Sequence, residues 1–192
     1  MPQELAVAIL WALWVISWIA AAIWRDPAAR RATIAQGAPY RIATIVGAAL
    51  LFIGSGPLFT NQYRFWNLSG GAEWVLVFVV AAGLLFTWWA RIYLGRLWSS
   101  SVTLKADHRI VDTGPYAIVR HPIYTGILAA IFATAAMRGA FVSFIAVLTM
   151  IYGFTAKARL EERFLREQLG AEAYDAYRRK APMLIPFGPK TE

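Results

Sequence analysis

The chain has 192 residues, 59% of them hydrophobic and only 16% charged, with nine Trp, eight Tyr and eleven Phe and a formal net charge of +8. One soluble domain of this length does not need so much apolar material, so the composition points to a membrane protein and leaves room for a single domain, residues 1–192. There is no cysteine, which excludes disulfides, thiol nucleophiles and thiolate metal sites; the basic residues lie in short stretches between apolar runs, which argues against a nucleic-acid partner.

The first apolar run, residues 4–24, has no basic segment before it and is long, so it reads as a retained helix and not as a cleaved signal. Runs at 40–59 and 72–94 are likewise long enough to cross a hydrocarbon core of roughly 30 Å. Two shorter runs, 122–137 and 140–157, are separated only by Arg138 and Gly139 and read as a tight helical hairpin. The expected fold is therefore an all-α integral membrane bundle of about five transmembrane helices. Residues 1–60 hold the first two spans, and residues 72–192 form a core with a loop at 95–121 and a C-terminal cap at 158–192.

Charge sets the expected orientation. The stretches 25–41 and 91–121, with the tail from Lys157 onward, carry 17 of the 19 basic residues, whereas the alternate loops hold Arg64 and Arg138. The positive-inside bias then places the N-terminus outside and the C-terminus in the cytoplasm, which requires an odd number of spans. Beyond the last span the helix turns amphipathic, with Leu160, Phe164, Leu165 and Leu169 on one side and Glu161, Glu162, Arg163 and Arg166 mostly elsewhere, until Gly170 ends it. A short helix over 171–180 sets Tyr174 and Tyr177 on one face as packing or interfacial anchors, and Pro182, Pro186 and Pro189 stop regular structure.

The chemistry-bearing residues concentrate before the fourth span. The segment His108-Arg109-Ile110-Val111-Asp112-Thr113-Gly114-Pro115-Tyr116 is followed by Arg120-His121-Pro122-Ile123-Tyr124 and Gly126, and it holds both histidines of the chain. Gly114-Pro115 makes a turn, and Pro122 in a first helical turn puts the Arg-His pair just before a helix N-terminus, an end that attracts anionic groups. Taken one at a time these residues also suit duller roles: Arg120 at lipid phosphates, His121 as a cap, Tyr124 in an aromatic belt, Gly126 as a close helix contact. Glu161, likewise, is spaced to pair with Lys157 on a solvated helix face.

As a run, the segment resembles the signature of the isoprenylcysteine carboxyl methyltransferase family and its phospholipid methyltransferase relatives, with Glu161-Glu162, Gly170, Tyr174, Tyr177, Pro182 and Pro186 following in the family's order. The resemblance covers about residues 91–187 and implies methyl transfer from S-adenosylmethionine at the cytoplasmic face. It implies a cofactor pocket lined by His108, Ile110, Val111, Tyr116, His121, Pro122, Tyr124 and Glu161, with Arg120 available to the cofactor carboxylate. The family's substrate-side arginine is Lys157 here, and Arg159 offers a second cation to orient the substrate. The implied partner is a lipid or lipid-modified acceptor from the bilayer, with no obligatory protein partner and no metal. An isoprenylcysteine-like carboxylate leads, and a phospholipid amine or another small hydrophobic acceptor is the alternative. Membrane sterol reductases, which bind a nicotinamide cofactor, carry a similar Arg-His-Pro-x-Tyr-x-Gly run, typically followed by an acid; Ile127 stands at that position here. A non-catalytic membrane scaffold is the remaining alternative, and two histidines are too few for a di-iron oxidase.

Overall fold

Predominantly apolar runs form α1 (Pro2–Ala21), α3 (Gly70–Leu94), α5 (Pro122–Arg138) and the first part of α6 (Phe141–Leu169) in the computed structural model, which describes residues 2–24, 30–53, 64–99, 102–104 and 110–190. Between them lie α2 (Ile34–Phe52), a short α4 (Pro115–Ile118), and β1 (Arg30–Arg31) paired antiparallel with β2 (Thr103–Leu104); α7 (Ala171–Lys180) closes the order. Four of these helices, α1, α2, α3 and α6, are long and apolar enough to cross a membrane, while α5 is apolar but shorter. Their outer faces expose Ile16, Ile45, Phe78, Leu85 and Leu148, each more than 60% accessible, a surface suited to lipid.

The second helix begins earlier than the apolar run at 40–59. Thr33 Oγ1 accepts from the Gln36 amide at 3.2 Å and Gln36 Oε1 accepts from the Thr33 amide at 2.9 Å, so a capping box starts α2 while the sequence is still polar. It ends at Phe52, and residues 54–59 of that run lie outside the described residues.

Small residues decide which helices touch. A Cβ built on Gly126 would stand 2.5 Å from the Gly83 carbonyl, and one on Gly83 would stand 2.7 Å from the Gly126 carbonyl, so α3 and α5 cross backbone to backbone. Between α2 and α6, Gly47 leaves room for the Met150 side chain and Gly153 for that of Thr44. Gly139, left-handed at φ 61°, caps α5 and leaves little chain before α6, which produces the hairpin that the sequence predicts.

The connections gather at two ends. At one, Arg64 bridges Ala140, and Arg138 Nη1 donates to the Leu51 carbonyl at 2.6 Å. At the other, the β1–β2 pair joins the segment before α2 to the long loop after α3, continued by the Ala32 amide donating to the Val102 carbonyl at 3.0 Å. The fully buried Arg91 ties that second end together. Its guanidinium donates to the carbonyls of Ala21 at 3.0 Å, Trp24 at 2.7 Å and Gly95 at 2.7 Å, so the last turn of α1 finds donors from α3.

Gly126→Val puts a branched side chain against backbone that cannot rotate away, an overpacking cost of roughly 1–3 kcal/mol or more. Thermal unfolding in detergent should show a clearly lowered midpoint for this variant and no change for Gly71→Ala, whose Cβ would meet nothing within 4 Å.

Candidate active site

Arg120, His121, Tyr124, Glu161 and Glu162 reach one another because α5 starts beside the charge-rich half of α6. Pro122 occupies the first helical position of α5 and has no amide to satisfy. The two amides before it are taken by the C-terminal tail: Arg120 N donates to Pro182 O at 2.8 Å and His121 N to Met183 O at 3.1 Å. Thr125 Oγ1 adds a bond to Leu184 O at 2.6 Å, so the segment after α7 lies as a strap across the start of α5.

With its backbone held this way, His121 makes no side-chain cap and turns its ring to α6. Nε2 lies 3.2 Å from Glu162 Oε1 and Nδ1 lies 3.6 Å from Glu161 Oε2. Arg120 Nε donates to the same Glu162 oxygen at 2.7 Å, and Tyr124 donates its hydroxyl to Glu161 Oε1 at 2.6 Å. The His121 ring stacks on Tyr124, with centroids 5.3 Å apart and planes 3° from parallel. The outcome is a chain of groups, Arg120–Glu162–His121–Glu161–Tyr124, in which two carboxylates face a guanidinium and an imidazole.

Burial by itself lowers the His121 pKa, but hydrogen bonds and charge from both Glu161 and Glu162 outweigh it and hold the imidazole above its ordinary value. An imidazole with a carboxylate at each nitrogen donates from both when protonated, so the cationic form fits this site. Burial raises the Tyr116 phenol as well, and its hydroxyl stays a donor, 3.4 Å from the Ala90 carbonyl.

A cavity of about 250 Å³ opens beside this chain of groups. It is lined by Ile110, Val111 and Tyr116 of the loop and α4, by Leu169, Tyr174 and Tyr177 of the cap, by His121, Pro122, Tyr124, Lys157 and Glu161, and by the apolar Trp18, Ile127 and Phe154. Lys157 lies one helical turn before Glu161, with its ammonium 5.2 Å from the Tyr124 ring centroid and 5.7 Å from that of Tyr40.

Of the residues singled out in the sequence, Ile110, Val111, Tyr116, Arg120, His121, Pro122, Tyr124, Lys157 and Glu161 all reach this cavity; His108 lies outside the described residues. Arg159 does not reach it: two positions on from Lys157, it falls on the opposite, exposed face of α6. Arg120 borders the cavity, yet its guanidinium is occupied by Glu162 and by the carbonyls of Arg178 at 3.2 Å and Ala181 at 2.5 Å, so it braces the site and the tail. Glu162, expected away from the apolar side, is buried and paired with both Arg120 and His121. Tyr174 and Tyr177 are buried as packing residues, and Tyr177 also donates to the Tyr116 carbonyl at 2.8 Å. Trp18 and Phe154 carried no sequence signal beyond their apolar runs.

Residues 74–167 match the sequence model of the isoprenylcysteine carboxyl methyltransferase family. That stretch of the chain belongs to this family. A methanethiol S-methyltransferase from a Pseudomonas species is 30% identical over 158 residues, 79% of this chain and 60% of that protein. A protein-S-isoprenylcysteine O-methyltransferase from Schizosaccharomyces pombe is 34% identical over 103 residues, 52% of this chain and 43% of that protein. A protein-S-isoprenylcysteine O-methyltransferase B from Arabidopsis thaliana is 26% identical over 169 residues, 77% of this chain and 85% of that protein. The first two relatives extend well beyond the length this chain spans, and all three are named as methyltransferases. Within the family match lie Arg120, His121, Tyr124, Glu161 and Glu162, the groups that the fold brings together.

Because the folded His121 value lies above the ~6.5 of an isolated imidazole, the stabilisation from its pairing is complete below about pH 6.5 and is lost as pH rises through the raised value. Unfolding midpoints measured from neutral to alkaline pH should fall across that window in the native chain, and His121→Asn should lack this component of the decline.

Proposed function

We propose that the protein is an integral membrane methyltransferase that moves the methyl group of S-adenosylmethionine to a lipidic or membrane-partitioned acceptor, foremost an isoprenylcysteine-like carboxylate. The reading includes five spans, with α5 as the fourth, an outside N-terminus, and the cavity at the cytoplasmic end where the basic loops gather. The observation that carries it is one cavity on which Glu161, His121, Tyr124 and Lys157 meet walls from the loop, the cap and the apolar side chains of Trp18, Ile127 and Phe154.

The donor set suits the cofactor. Its ammonium and ribose hydroxyls need hydrogen-bond acceptors, and its adenine needs a flat apolar slot. Glu161 presents a carboxylate to the cavity, and Ile110, Val111, Pro122 and Tyr116 provide apolar and aromatic walls. When bound, the cofactor supplies an electrophilic methyl on a sulfonium. Glu161, held by the Tyr124 hydroxyl and His121, would fix the cofactor's ammonium or a ribose hydroxyl in one orientation. Lys157 would draw an acceptor carboxylate toward the reacting centre, and the aromatic rings would keep water out. A carboxylate is already ionised at neutral pH, so no base is required.

A thiol acceptor is the second reading, favoured by the S-methyltransferase relative that aligns with 79% of this chain. Lys157 fits it too, since a point-charge ammonium does not demand the planar partner that an arginine matches. A thiol with a pKa near 8.5 must first lose its proton, so its methylation should accelerate through that pH range, whereas a carboxylate acceptor should show no such rise.

Glu161→Gln should weaken S-adenosylhomocysteine binding about tenfold, the size of one lost charge-assisted hydrogen bond at roughly 1.5 kcal/mol. Lys157→Ala should instead raise the acceptor KM while cofactor affinity stays within about twofold. Calorimetry and initial rates check both, and unchanged cofactor affinity in Glu161→Gln would remove Glu161 from the pocket.

A further inference from the structure

The tail beyond α7 meets α5 in sequence order. The carbonyl of Pro182 takes the Arg120 amide, that of Met183 takes the His121 amide, and that of Leu184 takes the Thr125 hydroxyl, one turn further along the helix. The tail therefore runs with α5, from the end where that helix starts toward its middle. Thr125 precedes Ala129 by four residues and Phe132 by seven, so all three share one helical stripe. Ala129 and Phe132 are exposed, which makes this stripe the side of α5 turned away from its neighbours in the bundle. Leu184 is thus bonded to the outward side of α5, and the residues after it continue from there.

At that point the chain reverses. The Gly188 amide donates to the Ile185 carbonyl at 2.9 Å, closing a turn with Pro186 and Phe187 at its two central positions. Phe187 has a φ of 61°, in the left-handed region, where every other described residue with a positive φ is glycine. After a proline, glycine or asparagine normally takes that second place, because a larger side chain is strained there. Phenylalanine recovers nothing from the protein in return: its ring is 97% accessible, and Ile185 in the same turn is 69% accessible. A large apolar ring is therefore held at a strained position with almost no contact to the rest of the chain. The turn lies between the basic end of α7, Arg178-Arg179-Lys180, and the exposed Lys190. Apolar groups flanked by cations suit the boundary between acyl chains and anionic headgroups.

We propose, on the reading of α5 as a membrane span, that Ile185–Gly188 is a bilayer anchor whose Ile185 and Phe187 side chains enter the acyl boundary beside the first turns of α5. The partner is the lipid surface, because the tail reaches the turn along the same outward stripe that carries Phe132. The anchor seats the strap, and the strap holds the Arg120 and His121 amides, so lipid contact supports the backbone from which the His121 ring reaches Glu161 and Glu162.

The chain has no cysteine, so single nitroxide labels report depth without a background to remove. Ile185→Cys, Phe187→Cys, Phe132→Cys and Glu172→Cys are labelled in the full-length chain and reconstituted into vesicles of phosphatidylcholine and phosphatidylglycerol. Spin relaxation by oxygen, which concentrates in the bilayer, is compared with relaxation by a water-soluble nickel chelate. Phe132 is the span reference, and the exposed Glu172 of α7 is the water reference. The labels replacing Ile185 and Phe187 should favour oxygen, as at Phe132, while the label replacing Glu172 favours nickel. Phe187→Asp added to Ile185→Cys should move that label toward the water value, and added to Phe132→Cys should change nothing. Labels at Ile185 and Phe187 that match Glu172, or an Ile185 label that Phe187→Asp does not move, overturn the anchor. A Phe132 label that favours nickel would instead sink the reading of α5 as a span, and the anchor with it.

Discussion

The site depends on one arrangement, the imidazole of His121 set between two carboxylates that are neighbours in sequence. Adjacent residues on a helix point about 100° apart, so Glu161 and Glu162 cannot share a face; they can only straddle something. His121 fills that gap, meeting Glu162 at Nε2 and Glu161 at Nδ1. Burying charged groups costs several kcal/mol each unless they are paired, and here Arg120 and His121 answer the two glutamates. Removing one member leaves another buried without its partner, which is why the network resists piecemeal change.

That pairing in turn needs three parts of the chain to stay in register. The start of α5 is held by the tail carbonyls of Ala181, Pro182 and Met183, through the Arg120 side chain and the Arg120 and His121 amides. The direction of α5 is set by its glycine contact with α3, and α6 is placed by its contacts with α2 and by the short Gly139 turn. The cap then contributes Tyr174 and Tyr177 to the cavity's lining, and α1 contributes Trp18. Separate fold elements thus serve the ion pairing and the apolar walls.

Much of this was legible in the sequence because its signals were local. The Arg-His-Pro-x-Tyr-x-Gly run marked the residues that reach the cavity, the Arg138-Gly139 break marked the hairpin, and Gly170 marked the end of α6. What was not legible depends on direction and distance. The burial of Glu162 and the outward placement of Arg159 follow from the rotation of α6 against α5, which an amphipathic pattern of mixed charges does not fix. The tail strap is made by main-chain carbonyls, which carry no side-chain signature. Trp18 looked like any other residue of a long apolar run, since only the packing of α1 against α3 and α5 brings it to the cavity. The start of α2 was recoverable, because Thr33-x-x-Gln36 is a capping signature hidden by the attention that the apolar run draws.

The central claim, that this cavity is the site of a methyl donor, is tested most directly by calorimetric titration of the detergent-purified chain with S-adenosylmethionine, S-adenosylhomocysteine and NADPH. Saturable binding of the first two at micromolar concentration, with no heat from NADPH, is the result this structure leads us to expect. Binding of NADPH alone, or of none of the three, would contradict it.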